Sequence, residues 1–190
     1  MISPNGSSRL PIAASIGTSQ EMRSLGRRLA ALLRAGDLVI LSGPLGAGKT
    51  TLTQGIADGL GVRGPVTSPT FVIARVHPSL RPDGGLEGPP LPLVHADAYR
   101  LGSALELDDL DLDADVATAV TVVEWGEGRA EGLSEDRLEI VIAPAPVTGP
   151  DTEGAPEADD GDAPRTVHIS GVGSRWQEIQ LPPADAANRL

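Results

Sequence analysis

Residues 36–61 read GDLVILSGPLGAGKTTLTQGIADGLG, and this stretch decides the fold. Leu38 to Leu41 are a short unbroken apolar run, the pattern of a strand buried on both faces of a parallel sheet. Gly43-Pro-Leu-Gly-Ala-Gly48-Lys49-Thr50 then matches G-x-x-x-x-G-K-[ST]. A helix is predicted from Lys49 to Leu60, stopped by Gly61. Glycines let the loop curl so that successive N–H groups face phosphate oxygens, and the positive end of the following helix adds to that field. Lys49 can reach the β- and γ-phosphates, and the Thr50 hydroxyl can ligate Mg²⁺. At this chain's composition the motif would arise by chance with a probability on the order of 0.002. Lys49 is also the single lysine of 190 residues, against 14 arginines.

That scarcity excludes subclasses. A GTPase that reads guanine through N-K-x-D needs a second lysine and an internal asparagine. The asparagines here are Asn5 and Asn188, so ATP is the expected nucleotide. There are no cysteines, which excludes disulfides, thiolate zinc sites and iron–sulfur clusters. The net charge of −11 disfavours gripping nucleic acid unaided, because that binding rests on Lys and Arg. No apolar run approaches the roughly 20 residues of a membrane span. The first 20 residues lack the basic-then-apolar order of a signal peptide, so a cytoplasmic protein is expected.

Outward from the loop, residues 1–11 read as a disordered leader. Thr18 and Glu21 form a capping box for a helix whose apolar spacing runs from Met22 to Leu33, with Gly36 as its stop. Strands are expected at Phe71–Val76, Leu93–Ala96, Val120–Val123 and Leu138–Ile142, with a short acidic helix over 105–115. Residues 77–92 hold five prolines and three glycines and read as a loop insertion. Residues 143–164 hold five prolines, six acids and no basic residue, and read as a disordered insertion. Thr166 to Ser170 alternate like a returning strand, which makes 143–164 an overgrown hairpin loop between two edge strands. The ATPase domain is therefore expected over 12–142 plus 165–181, with 182–190 a tail. No internal repeat is present. The expected fold is a three-layer α/β P-loop NTPase fold with a mixed, partly antiparallel sheet.

A P-loop enzyme takes a second Mg²⁺ contact from a carboxylate ending a buried strand. Two strands end that way, at Asp97 and at Glu124. His95 could orient a water, although packing is the simpler reading. Thr67-Ser68-Pro-Thr70-Phe71 is a stiff polar loop, placed where P-loop proteins sense the γ-phosphate; as residues alone it equally suits a proline turn into a strand.

Together these motifs resemble the TsaE (YjeE) family, P-loop ATPases of tRNA threonylcarbamoyladenosine synthesis. The matching pieces stand in the family's order: 36–61, TSPTF at 67–71, HADAYRL at 95–101 and VVEWGE at 122–127. The resemblance implies a weakly hydrolysing ATPase that acts with the TsaB–TsaD complex and meets tRNA only indirectly. It implies that Leu45, Gly46, Ala47, Gly48, Lys49, Thr50 and Thr51 wrap the nucleotide phosphates. Thr50 and Glu124 would ligate Mg²⁺, and Asp97 would stand near the γ-phosphate or its water. Lys49, Asp97 and Glu124 are thus the catalytic candidates. Thr18 and Ser19 would lie near the base, Thr67, Ser68 and Thr70 would form the switch, and Trp125 would pack beside the site. Pro44 departs from the family, where an acid is common; without an N–H it cannot donate to phosphate. The alternative is a small-molecule kinase of the P-loop class, which usually needs a lid bearing several arginines. Past the helix the sequence offers the dispersed Arg63, Arg75 and Arg81. A third reading is a nucleotide-gated binding module without turnover.

Overall fold

The computed structural model describes residues 8–69, 74–80, 91–99, 117–144 and 164–183. Its strands are β1 (Ser8–Arg9), β2 (Ile12–Ile16), β3 (Leu38–Ser42), β4 (Ala74–His77), β5 (Leu93–Asp97), β6 (Val120–Glu124), β7 (Arg137–Pro144), β8 (Arg165–Val172) and β9 (Gln180–Leu181). The helices are α1 (Ser19–Ala30) and α2 (Lys49–Leu60), with short 3₁₀ turns at Glu131–Leu133 and Ser174–Trp176. Seven strands form one sheet in the order β2-β8-β7-β3-β6-β5-β4. The block β7-β3-β6-β5 is parallel, while β8, β2 and β4 join antiparallel. This is the α/β P-loop architecture expected from residues 36–61, with the mixed sheet included.

Every residue of β3, β5 and β6 is buried, as unbroken apolar runs require. Alternation splits β3 between two cores. Val39 and Leu41 pack with Met22, Leu25, Leu52 and Ile56 of the helices. Leu38 and Ile40 pack on the other face with Ala96, Val123 and Ala130. Among the described residues both helices thus cover one face, and the 3₁₀ segment near Ala130 and Leu133 covers part of the other. Full burial of each such aliphatic side chain contributes roughly 1.5–3 kcal/mol.

The predicted capping box of α1 is present: the Glu21 N–H donates to Thr18 Oγ1 at 3.1 Å, and the Thr18 N–H donates to Glu21 Oε2 at 3.2 Å. The helix ends at Ala30, earlier than the spacing through Leu33 predicts. The next backbone groups bond in other ways: the Leu32 and Leu33 N–H groups close tight turns onto the Leu29 and Ala30 carbonyls, the Arg34 N–H donates to Asp37 three residues on at 2.8 Å, and the Leu32 carbonyl accepts from the distant Arg175 at 2.7 Å. The two helices cross on glycine. A Cβ on Gly26 would stand 2.5 Å from the Leu52 carbonyl oxygen, and one on Gly55 would meet the Arg23 backbone.

Three expectations change. Ser8–Arg9, read as leader, pairs with Gln180–Leu181. Ile12–Ile16, a weak Ala-Ala-Ser run between two isoleucines, is a strand on β8, so neither strand of the β7–β8 hairpin is an edge. β7 also runs on through Ala143 and Pro144, which the sequence assigned to the insertion. The strand expected at Phe71–Val76 is described only from Ala74 and continues to His77. Residues 71–73, the acidic helix at 105–115, and nearly all of the 143–164 segment lie outside the described residues.

Candidate functional site

β3, β5 and β6 are parallel neighbours, so their C-terminal ends open at one edge of the sheet. Asp97 and Glu124 are register partners there, directly beside the loop that leaves β3. The loop itself depends on glycine. Gly43 has φ +145°, and a Cβ there would collide with the Ile142 carbonyl. α2 differs from α1 in its cap. Gly48 at φ +102° supplies no side-chain bond, so the first N–H groups of α2 are left for a ligand.

Leu45, Gly46, Gly48, Lys49, Thr50 and Thr51 line a cavity of about 550 Å³ together with Ser68, Asp97, Tyr99, Glu124 and Trp125. That volume is of the size that holds a small ligand. Lys49 Nζ donates to the carbonyls of Gly43 at 2.9 Å and Pro44 at 2.8 Å, and stands 3.6 Å from the centre of a Trp125 ring. Burial holds its ammonium below the usual lysine value; the Glu124 and Asp97 carboxylates draw it part of the way back. Trp125 has φ +58°, a left-handed conformation rare outside glycine, and its ring packs 5.0 Å from that of Tyr99.

Thr50 Oγ1 donates to the Glu124 carboxylate, 2.9 Å from Oε1 and 3.1 Å from Oε2. His95, fully buried, brings Nε2 within 2.8 Å of the same Oε1. The histidine expected to be satisfied by packing therefore bonds the acid as well. Its Nδ1 has no hydrogen-bond partner among the described residues. Asp97 accepts from Ser68 Oγ at 3.1 Å and from the Tyr99 N–H at 2.9 Å.

A hydroxyl beside a carboxylate is a hard-oxygen pair that suits Mg²⁺, which is commonly held by one or two side chains plus substrate phosphates. Among the described residues there is no cluster of three or more His, Asp or Glu that could hold a metal ion.

The structure thus gathers Leu45, Gly46, Gly48, Lys49, Thr50, Thr51, Ser68, Asp97 and Glu124 in one cavity. Ala47 lines an adjoining recess. Ser19 opens α1 and Thr67 is exposed; neither is among the cavity's lining residues. Thr70 and Arg100 lie outside the described residues. Sequence reasoning missed Arg165, whose Nη2 donates to the Gly46 carbonyl at 3.4 Å. It lies 119 residues from Gly46, with no local motif to mark it.

Residues 16–148 match the family model described as "Threonylcarbamoyl adenosine biosynthesis protein TsaE". The chain belongs to the TsaE family. A Streptomyces coelicolor TsaE, named as a tRNA threonylcarbamoyladenosine biosynthesis protein, is 59% identical over 156 residues, covering 82% of this chain and 93% of the relative. A Bacillus subtilis protein of the same name is 36% identical over 161 residues, covering 84% and 85%. The crystal structure of Bacillus subtilis YdiB superposes with a TM-score of 0.62 at 31% identity, covering 87% of this chain and 88% of that one. TsaE membership and this superposition agree with the P-loop fold built above from the strand order.

Proposed function

We propose that this chain is an ATP-binding and hydrolysing subunit of tRNA threonylcarbamoyladenosine synthesis, cytoplasmic, and working with the TsaB–TsaD complex on adenosine 37. One observation carries the ATPase part: Lys49, Thr50, Asp97 and Glu124 converge on the same cavity at the N-terminus of an uncapped helix. The helix N-terminus and Lys49 bind the β- and γ-phosphates. Thr50 and Glu124 are the residues that would hold Mg²⁺. Bound there, the ion supplies charge neutralisation on the transferring phosphoryl group. Glu124 is kept in place by His95, so its carboxylate is aimed before substrate arrives. Asp97, which accepts from the Ser68 hydroxyl, orients the attacking water.

Among the described residues no arginine lines this cavity. Charge that develops on the phosphates is then met by Lys49 and the helix, and turnover is slow without help. In P-loop systems an arginine supplied in trans accelerates hydrolysis by roughly 10³–10⁵. The TsaB–TsaD partnership rests on TsaE membership, and the acidic net charge supports acting on tRNA through proteins.

Phosphate release from MgATP, measured with the chain alone and then with TsaB–TsaD, tests this reading. Slow basal turnover that rises with the partner, and less stimulation in Arg100→Ala, are expected. Equal rates with and without the partner refute the partnership. Transfer of the γ-phosphate to a small metabolite would replace the ATPase with a kinase.

A further inference from the structure

Arg165 opens β8, where its register partners are Ile16 on β2 and Pro144 on β7. The burial pattern along Arg165, Val167 and Ile169 turns its side chain toward the face that the helices cover, and it is 6% exposed. From there the guanidinium reaches the loop from outside the main cavity. Nη2 donates to the Gly46 carbonyl at 3.4 Å, and Nε lies 4.0 Å from where a Cβ on Gly48 would sit. Arg165 lines a separate recess with Pro44, Leu45, Gly46 and Ala47.

The peptide between Gly46 and Ala47 is consequently held at both ends. Arg165 holds its carbonyl, and its N–H donates to the Pro44 carbonyl at 3.2 Å. A trans peptide is rigid and planar, so fixing these two groups fixes the turn in which Gly46 stands at φ +75°. That turn aims the following backbone at the ligand.

We propose that Arg165 is a positioning residue for nucleotide phosphates: it locks the Gly46–Ala47 peptide and places a guanidinium group, in addition to the Lys49 ammonium, behind the phosphate loop. The proposal rests on the nucleotide-binding reading above and adds a residue from the far strand of the β7–β8 hairpin. The hairpin and the phosphate loop then behave as one unit.

Calorimetric titration of MgADP, with amide hydrogen exchange across 43–50 in the nucleotide-free protein, tests it. Arg165→Met should weaken MgADP binding about tenfold and speed exchange in the loop, as expected for losing one hydrogen bond from a charged group. Arg165→Lys keeps the charge but loses the planar fork; it should bind about threefold more weakly than wild type and exchange as fast as Arg165→Met. MgADP affinity and loop exchange matching wild type in the folded lysine variant would overturn the proposal, including the case where the methionine variant does not fold. Should the wild-type chain itself fail to bind MgADP, the nucleotide reading falls instead, which separates the two failures.

Discussion

Gly55→Ala sets two principles against each other, and the sign of the result decides between them. In an isolated helix the change is favourable by about 1 kcal/mol, because alanine has the higher helix propensity. In this fold Gly55 faces α1, where an added Cβ would collide with the Arg23 carbonyl oxygen and stand 2.8 Å from Arg23 Cα. Ordinary contact begins near 3.4 Å, so the helices must separate by at least roughly half an ångström. The obstructing atoms are backbone and cannot rotate away. Overpacking of this kind costs up to ~3 kcal/mol, which leaves a net loss of ~2 kcal/mol. For a chain of this size that lowers the melting temperature by about 4–8 °C. The separation also displaces α2, which begins with Lys49 and Thr50, against a Thr50–Glu124 bond of 2.9 Å. ATP turnover should therefore fall by about tenfold or more, since misplacement on this scale costs large factors in rate. Thermal denaturation and phosphate release on the same preparation check both effects. A melting temperature equal to or above wild type would refute the reasoning, because helix propensity alone predicts that outcome.

Three other tests address the site and the sheet. Lys49→Ala should abolish hydrolysis and weaken MgATP binding at least about tenfold, or ~1.4 kcal/mol, by calorimetry; unchanged affinity in the folded variant would remove the P-loop assignment. Glu124→Ala should raise the Mg²⁺ concentration needed for activity, while Asp97→Ala should bind MgATP yet turn it over slowly; a Mg²⁺ titration on both distinguishes the roles, and the reverse pattern exchanges them. His77 is held below the ordinary histidine value of 6.5, chiefly by burial, with the neighbouring His95 and Arg75 lowering it further and a backbone bond at Arg63 opposing them. The unfolded chain then binds the proton more readily, so His77 contributes stability above pH 6.5 that is lost as pH falls below it; urea midpoints from pH 7.5 to 5.5 should decline more steeply for wild type than for His77→Gln.

The parts of the site legible in the sequence were those where local chemistry and fold coincide. A strand buried on both faces leaves its chemistry to its ends, which is why Asp97 and Glu124 stood out as acids closing apolar runs. The phosphate loop and the Thr18–Glu21 box are local, each complete within a few residues. What escaped depended on distant partners. Arg165 has meaning only when β8 returns beside β7, and nothing in Pro164-Arg165-Thr166 announces that. β2 was hidden because its alanines and serine carry little strand preference; the hydrogen-bonding edge of β8 makes it a strand. The bond from His95 to Glu124 crosses two strands, and residue spacing along one strand does not encode it.

The pairing of Pro144 with Arg165 has a consequence for how this chain can vary. The sheet already holds the two ends of the 145–164 connector opposite one another. Closing such a loop costs entropy only as the logarithm of its length, about 0.6 kcal/mol for each doubling. Residues can therefore accumulate there with little loss of stability. The loop from Ser42 to Lys49 obeys the opposite rule, because an inserted residue would shift every N–H in it by one place. Two connections thus differ in kind: one tolerates length, and the other is fixed in length by the phosphate that the proposed function assigns to it.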